Sequence, residues 1–288
     1  MIWLLISIFT NTLLLLILKG FERVKVSTLQ GVVINYLTAG TLGLLLSDVH
    51  LSPAEIVQQP WSWVPPVLGS IFISVFLLVA YTAQKIGVSV ATVANKMSVV
   101  IPVIAAVLLY GDPLTWPKLT GIALALLAVV LTSRQEGSAS ASGWKLWVLP
   151  AVIFVGSGVL DAIINYAQQQ LVPPAHALLF SASCFYVAFF LGGLVLFAQL
   201  VRGKEKFSFR NVLGGVVLGV PNLFSIWCIM RALDTGVMDS STMYPVNNMG
   251  VVALSAIGAG LLFKEKLSKL NLLGLALALV AIAVMTFL

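Results

Sequence analysis

The sequence predicts an all-α membrane protein: ten transmembrane helices arranged as two inverted five-helix repeats. Three observations carry this. Of 288 residues, 60% are hydrophobic and only 9% charged, where a soluble domain carries about 25% charged residues. Ten segments are long and apolar enough to cross a bilayer, which takes about 20 residues each. The two halves of the chain also repeat one another. So little chain lies outside the spans that a soluble catalytic domain is excluded.

The predicted spans run over 2–19, 27–47, 64–85, 89–110, 116–133, 145–169, 174–201, 211–233, 237–262 and 268–288. The first has no basic region ahead of it and no small-residue cleavage pattern, so a transmembrane helix is expected there instead of a cleaved signal peptide. Polar clusters punctuate the rest, from Gly20–Val26 to Phe263–Lys269, with a long one over Asp48–Trp63. Ser138–Gly143 is the low-complexity patch and reads as part of a linker. The expected organisation is a first five-helix repeat over 1–135, a linker over 136–144 and a second repeat over 145–288. Trp3, Trp61, Trp63, Trp116, Trp144 and Trp147 stand at span ends, where an interfacial belt would place them. Cys184 and Cys228 fall inside apolar spans, so free thiols are expected, and no Cys/His spacing suits a metal. No cofactor is expected.

The net charge of +6 would suggest nucleic acid in a soluble protein. Here the cations sit in short loops and set topology. Lys19, Arg23, Lys25, Lys85, Arg134, Lys145, Arg202, Lys204, Lys206, Arg210, Lys264, Lys266 and Lys269 occupy the odd-numbered loops, and Lys118 alone the even ones. The positive-inside rule then puts both termini outside. A bacterial inner membrane is the expected location, with the lipid bilayer and a small molecule as partners and no nucleic acid.

The repeat is legible in two places. Gly121-Ile-Ala-Leu-Ala-Leu-Leu-Ala matches Gly274-Leu-Ala-Leu-Ala-Leu-Val-Ala. Upstream, Tyr110-Gly-Asp-Pro-Leu-Thr answers Phe263-Lys-Glu-Lys-Leu-Ser. The starts align more loosely: Asn11 with Asp161, Asn35-Tyr36 with Phe185-Tyr186, and Gly43 with Gly193. An odd number of spans per half inverts the second copy, and inverted repeats of this kind place their substrate site near the bilayer midplane.

The two signatures, Asp112-Pro-Leu-Thr…Gly121 and Glu265-Lys-Leu-Ser…Gly274, with the five-plus-five layout, resemble the ten-helix EamA-type transporters of the drug/metabolite transporter superfamily. The likeness extends over essentially the whole chain. Asp112 departs from the glutamate usual at its position. The resemblance implies a secondary transporter, and relatives that carry phosphate compounds use a lysine in the fourth span.

That span holds the leading candidate. Lys96 lies about 12 Å in from one end, at 1.5 Å per residue, beside Asn95 and ahead of Pro102. A charge at that depth is costly and marks a polar pathway or a pairing; the alternative is a lysine that snorkels to the interface. Ser241–Leu267 repeats the arrangement with Pro245, Asn247 and Asn248. Asp161, about 24 Å into the sixth span, is a candidate proton carrier or amine ligand, or the partner of Arg231 in a static ion pair or gate. Asn11 earns notice as the repeat partner of Asp161. Tyr36, Trp227 and Tyr244 line a cavity or pack the core. Pro102, Pro221 and Pro245 are candidate hinges. Amides such as Asn35, Asn165 and Asn222 serve equally well as interhelical glue. Gly215-x-x-x-Gly219 is a candidate dimer contact, so monomer and homodimer both stand. His50 and His176 fall in outer loops and read as solvated surface.

The favoured function is alternating-access transport, probing toward export, of an amino acid or related zwitterion or anion. Protons carried through Asp161 are a candidate driving ion. The first alternative is efflux of drugs, organic cations or lipid-like molecules. An intramembrane lipid-modifying enzyme would need paired carboxylates to hold a metal on a diphosphate, and no DxxxD or DDxxD grouping occurs.

Overall fold

A computed structural model gives the architecture. It describes residues 1–110, 115–133, 145–237, 240–265 and 267–287. Within these, side chains are described except at 106–110, 118, 133, 145–146, 169, 233–234, 240–242, 244–245 and 285–287. Asp112 and Trp144 therefore lie outside the described residues.

Every regular element described is a helix: α1 (Ile2–Arg23), α2 (Thr28–Leu45), α3 (Pro53–Val57), α4 (Val64–Lys85), α5 (Val88–Met97), α6 (Val100–Tyr110), α7 (Trp116–Ser133), α8 (Lys145–Gln170), a 3₁₀ turn (Pro174–His176), α9 (Ala177–Val201), α10 (Phe209–Asp234), α11 (Ser240–Phe263) and α12 (Lys269–Phe287). Eight stretches of 18 residues or more are apolar enough to cross a membrane, one of them running through α5 and α6 from Val88 to Ala105. Two shorter apolar stretches, Leu119–Thr132 and Lys269–Val284, lie in α7 and α12. The chain is an integral membrane protein. The span limits read from sequence hold closely, with α4 and α7 matching to the residue. The fourth span differs: it is interrupted over Ser98–Val99. A short helix, α3, also forms in the long second loop, where Ser52 and Glu55 make a reciprocal capping box.

Contacts group the chain into two compact units, and each takes residues from both halves of the sequence. One comprises Met1–Lys19, Leu78–Val159 and Ser225–Leu288. Its core is built by the two matching repeat segments, α7 against α12. Ala125, Ala128, Ala278 and Ala281 are buried there with Val93, Met97 and Val252. Alanine every third or fourth residue gives each helix a smooth face, so the backbones approach closely. At Gly274 a Cβ would stand 2.8 Å from Thr132 Cγ2, so no larger residue fits.

The other unit comprises Gly20–Leu77 and Leu160–Phe224. Here α2 packs on α9 and α10. Gly215 and Gly219 face Ile34 and Thr38 of α2, so the GxxxG face read as a dimer contact is used within the chain. Trp61 departs from the expected belt: it is fully buried, edge-on to Phe180 at 5.7 Å between ring centroids. His176 likewise is not solvated surface. It is half-buried beside Trp61, and its Nδ1 has no hydrogen-bond partner. Trp63, Trp116 and Trp147 are exposed, as a belt requires. Both cysteines are buried free thiols.

Candidate functional site

The interruption in the fourth span has a local cause. Pro102 has no N–H to give the carbonyl of Ser98. Ile101 N–H bonds that carbonyl instead, at 2.9 Å, which is a tighter i+3 turn. The hydroxyl of Ser98 turns back onto the carbonyl of Asn95, so a second carbonyl is taken by a side chain. The result is a half-helix, α5, ten residues long, whose last turn is the place where Asn95 and Lys96 stand.

Both residues suit that end. The carbonyls of a helix C-terminus carry partial negative charge, which favours a cation there; Lys96 is the basic residue of the last turn of α5 and is half-buried. Asn95 donates from Nδ2 to Ser157 Oγ of α8 at 2.8 Å. Ser157 is 4% exposed. A lysine, an amide and a hydroxyl thus lie together on a broken helix, a grouping able to hold an oxyanion and its neighbouring hydroxyl or amine.

The rest of this unit adds further predicted residues. Trp227 of α10 meets Trp3 edge-on at 5.4 Å between centroids. The guanidinium of Arg231 lies over the Trp227 ring, 5.3 Å from its centroid, a cation–π contact. Asn11 donates to the Ser7 carbonyl one turn back at 3.3 Å, and Ser7 Oγ donates to the Ser225 carbonyl at 2.8 Å. Asn247 is 4% exposed and its Oδ1 has no partner, which leaves a buried acceptor to be satisfied. Asn248 is half-buried. The side chains of Tyr244 and Pro245 lie outside those described.

The remaining candidates belong to the other unit. Tyr36 is fully buried, donates to the Phe72 carbonyl at 2.9 Å and packs against Phe72, Phe76 and Phe185. Its surroundings are those of a core residue. Asn35 accepts from Asn222 Nδ2 at 3.1 Å, the amide glue expected of such pairs. Asp161 is half-buried on α8, and Pro221 is buried within an unbroken α10. A polar groove of about 680 Å³ lies at the α1–α2 and α9–α10 connections. There Gln30 donates to Glu205 at 2.8 Å and accepts from Asn211 at 2.9 Å.

Sequence reasoning missed three functional positions. Ser157 looked like one more small residue on an apolar helix. Asn271 caps α12 reciprocally with Ser268 and donates to the Thr132 carbonyl at the end of α7 at 2.8 Å; the Ser-x-x-Asn spacing, close to a capping box, could have revealed it. Glu265 served only as a family signature. In the structure its Oε2 accepts the N–H of Val88 at 3.1 Å, at the start of α5. So the signature in the second half has a structural task at each position: Glu265 caps α5, Ser268 caps α12, and Gly274 lets α12 meet α7. Among the described residues, no group of three or more His, Cys, Asp or Glu side chains could hold a metal ion.

Comparison with known proteins agrees with this architecture. Residues 1–134 match the model of the EamA-like transporter family. An uncharacterized protein of Haemophilus influenzae is 28% identical over 97% of this chain and 95% of its own length. A Lactiplantibacillus plantarum protein provisionally named for sugar uptake is 24% identical over 80% of this chain and 81% of its own. One of Bacillus cereus with the same name is 26% identical over 70% and 69%. A solved structure, titled only as the crystal structure of a protein, superposes with a TM-score of 0.60 over 97% of this chain and 96% of its own, at 17% identity; it shows the fold. The likeness to EamA-type members of the drug/metabolite transporter superfamily, first read from the signatures, is thus shown through the match over the first half of the chain. With it comes the function class, a transporter of that type.

Proposed function

We propose that this protein is a secondary transporter that moves a small polar metabolite by alternating access, with its cargo held at the α5–α6 interruption. One observation carries the reading: Lys96 stands half-buried at the end of a half-helix, beside the Asn95–Ser157 pair. Transporters of several folds use discontinuous helices in this way, because a helix end inside the membrane supplies fixed partial charge without a buried ion. The favoured cargo is an amino acid or related anion, moved outward. The ammonium of Lys96 would take its carboxylate, and the unpartnered Asn247 Oδ1 would accept from an amine or hydroxyl. Ten spans as two inverted repeats, with both termini outside, complete the reading. Its support is that α7 and α12, the matching repeat segments, pack on each other.

Sugar uptake is the second reading, and the names of the Lactiplantibacillus and Bacillus relatives favour it. A neutral sugar would use the amide and hydroxyl groups and have little need of the lysine charge. Thermal stabilisation of the purified protein separates the two, since a ligand that binds the native state raises the melting temperature by mass action. The panel holds amino acids, neutral sugars, sugar phosphates and organic cations, each tried on wild type and Lys96→Ala. Stabilisation by an amino acid or anion that vanishes in Lys96→Ala supports the first reading. Stabilisation by a neutral sugar that survives in the variant supports the second. Stabilisation by hydrophobic cations alone, independent of Lys96, rejects both.

A further inference from the structure

We propose that Glu265 is a positioning residue for the α5–α6 site: it holds the N-terminus of α5 and so fixes where that half-helix delivers Asn95 and Lys96. This rests on the site reading above.

The first N–H groups of a helix have no partner within it. For α5 the preceding residue is Gly87, which offers no side chain to cap them. The carboxylate of Glu265 does so from the α11–α12 connection, 177 positions along the chain, and takes the Ser89 N–H as well as that of Val88. The local backbone is shaped for it. Gly87 has φ +154°, a conformation that side chains rarely adopt, and a Cβ there would collide with Glu265 Oε1. The charged group facing the carboxylate is Lys19 of α1. Its ammonium donates to the Gln84 carbonyl of α4 at 2.9 Å, and Gln84 returns a bond to the Leu18 carbonyl at 2.8 Å. Helices α1 and α4 thus form a laced seat beside the cap.

The ends of α5 are therefore held differently. An acidic group at the N-terminus and a basic group in the last turn both suit the helix dipole. Yet one end is clamped by a distant loop, and the other opens at Ser98–Val99. A rod of about 15 Å clamped at one end and jointed at the other passes any shift of the clamp to Asn95 and Lys96. Burial raises the Glu265 pKa, against the lowering influence of the Val88 N–H, the Lys19 charge and the Ser89 N–H. The negative charge thus costs stability where it stands. A cap that served folding alone would work as well with a neutral amide.

A cargo-free reporter tests this. In a background with Cys184→Ala and Cys228→Ala, Lys96→Cys is alkylated with N-ethylmaleimide, with Glu265 intact, changed to Gln, or changed to Ala. Leu194→Cys, on an exposed face of α9, serves as the remote control. We expect Glu265→Ala to change the rate at position 96 about fivefold, the scale set by losing an N-cap. Glu265→Gln should give a smaller change in the same direction at an undiminished melting temperature, and the control should not respond. Equal rates at position 96 in all three folded backgrounds would overturn the proposal. Should Glu265→Ala not fold, Glu265→Asp, one methylene short of the helix, replaces it under the same criterion. The reporter requires no ligand, so its outcome is separate from that of the Lys96→Ala panel, on which the cargo reading stands.

Discussion

The fourth span and α11 carry the same local signal and respond to it differently. Ser98 and Pro102 are four apart, as are Ser241 and Pro245. In each pair the serine carbonyl is the one its proline cannot serve. In the fourth span a two-residue turn separates α5 from α6. In α11 the helix runs unbroken from Ser240 to Phe263. The difference lies in where the pair falls. Ten helical residues precede Ser98, so the lost bond divides a span. Ser241 is the second residue of α11, so the lost bond falls near a terminus, where carbonyls and N–H groups are already short of partners. Proline alone does not divide a helix here either, since α8 continues through Pro150 and α10 through Pro221. A site is made where the proline signal coincides with mid-span.

The largest expected effect breaks the fourth-span side of this comparison from its start. Gly87→Val should cost roughly 2–4 kcal/mol, because it adds backbone strain and drives the Glu265 cap away. The melting temperature of the detergent-solubilised protein reports it, and a change within error would mean that the cap does not hold α5. Next comes the direct contrast. Pro102→Ala restores an N–H to the Ser98 carbonyl, worth about 1 kcal/mol of stability, and closes the turn. Transport should fall about tenfold, the equivalent of a barrier raised by about 1.4 kcal/mol. Pro245→Ala should leave transport near wild type. Equal losses in liposome uptake would show that the interruption is not the feature that matters.

A smaller effect concerns what the broken end touches. A double-mutant cycle on Asn95→Ala and Ser157→Ala should give a coupling of about 0.6 kcal/mol, the average for interhelical bonds in a membrane; strict additivity would show that the 2.8 Å contact contributes nothing. The smallest effect is a dependence on pH. The pKa of Glu265 is raised by burial above its ordinary 4.5, so the native state holds this proton more tightly than the unfolded chain does. The associated stability is fully present below the ordinary value and is lost as pH rises through the raised one. Melting curves taken between about pH 4 and about pH 8 should therefore lose part of their downward slope in Glu265→Gln. An unchanged slope would assign it to other groups.

The class of fold followed from the sequence itself. Apolar runs of span length, short basic loops and a duplicated Gly-x-Ala-Leu-Ala-Leu segment leave few arrangements open. Backbone groups in lipid must be satisfied within each segment, so such runs become helices whatever their neighbours. Lys96 and Asn95 were legible for the same reason, because polar side chains are conspicuous against an apolar background. Ser-x-x-x-Pro was also present in the sequence, but it occurs twice, and only its distance from the helix start distinguishes the two copies. Helix starts in turn depend on caps supplied from elsewhere. Glu265 reaches α5 across 177 positions, Ser157 reaches Asn95 across 62, and Trp61 and Tyr36 went into cores instead of a belt or a cavity. Local composition fixed which segments enter the membrane, because that is a property of each segment's own transfer from water. Which polar groups meet inside was decided by tertiary structure alone, because hydrogen bonds of about 3 Å depend on the register between helices far apart in the chain.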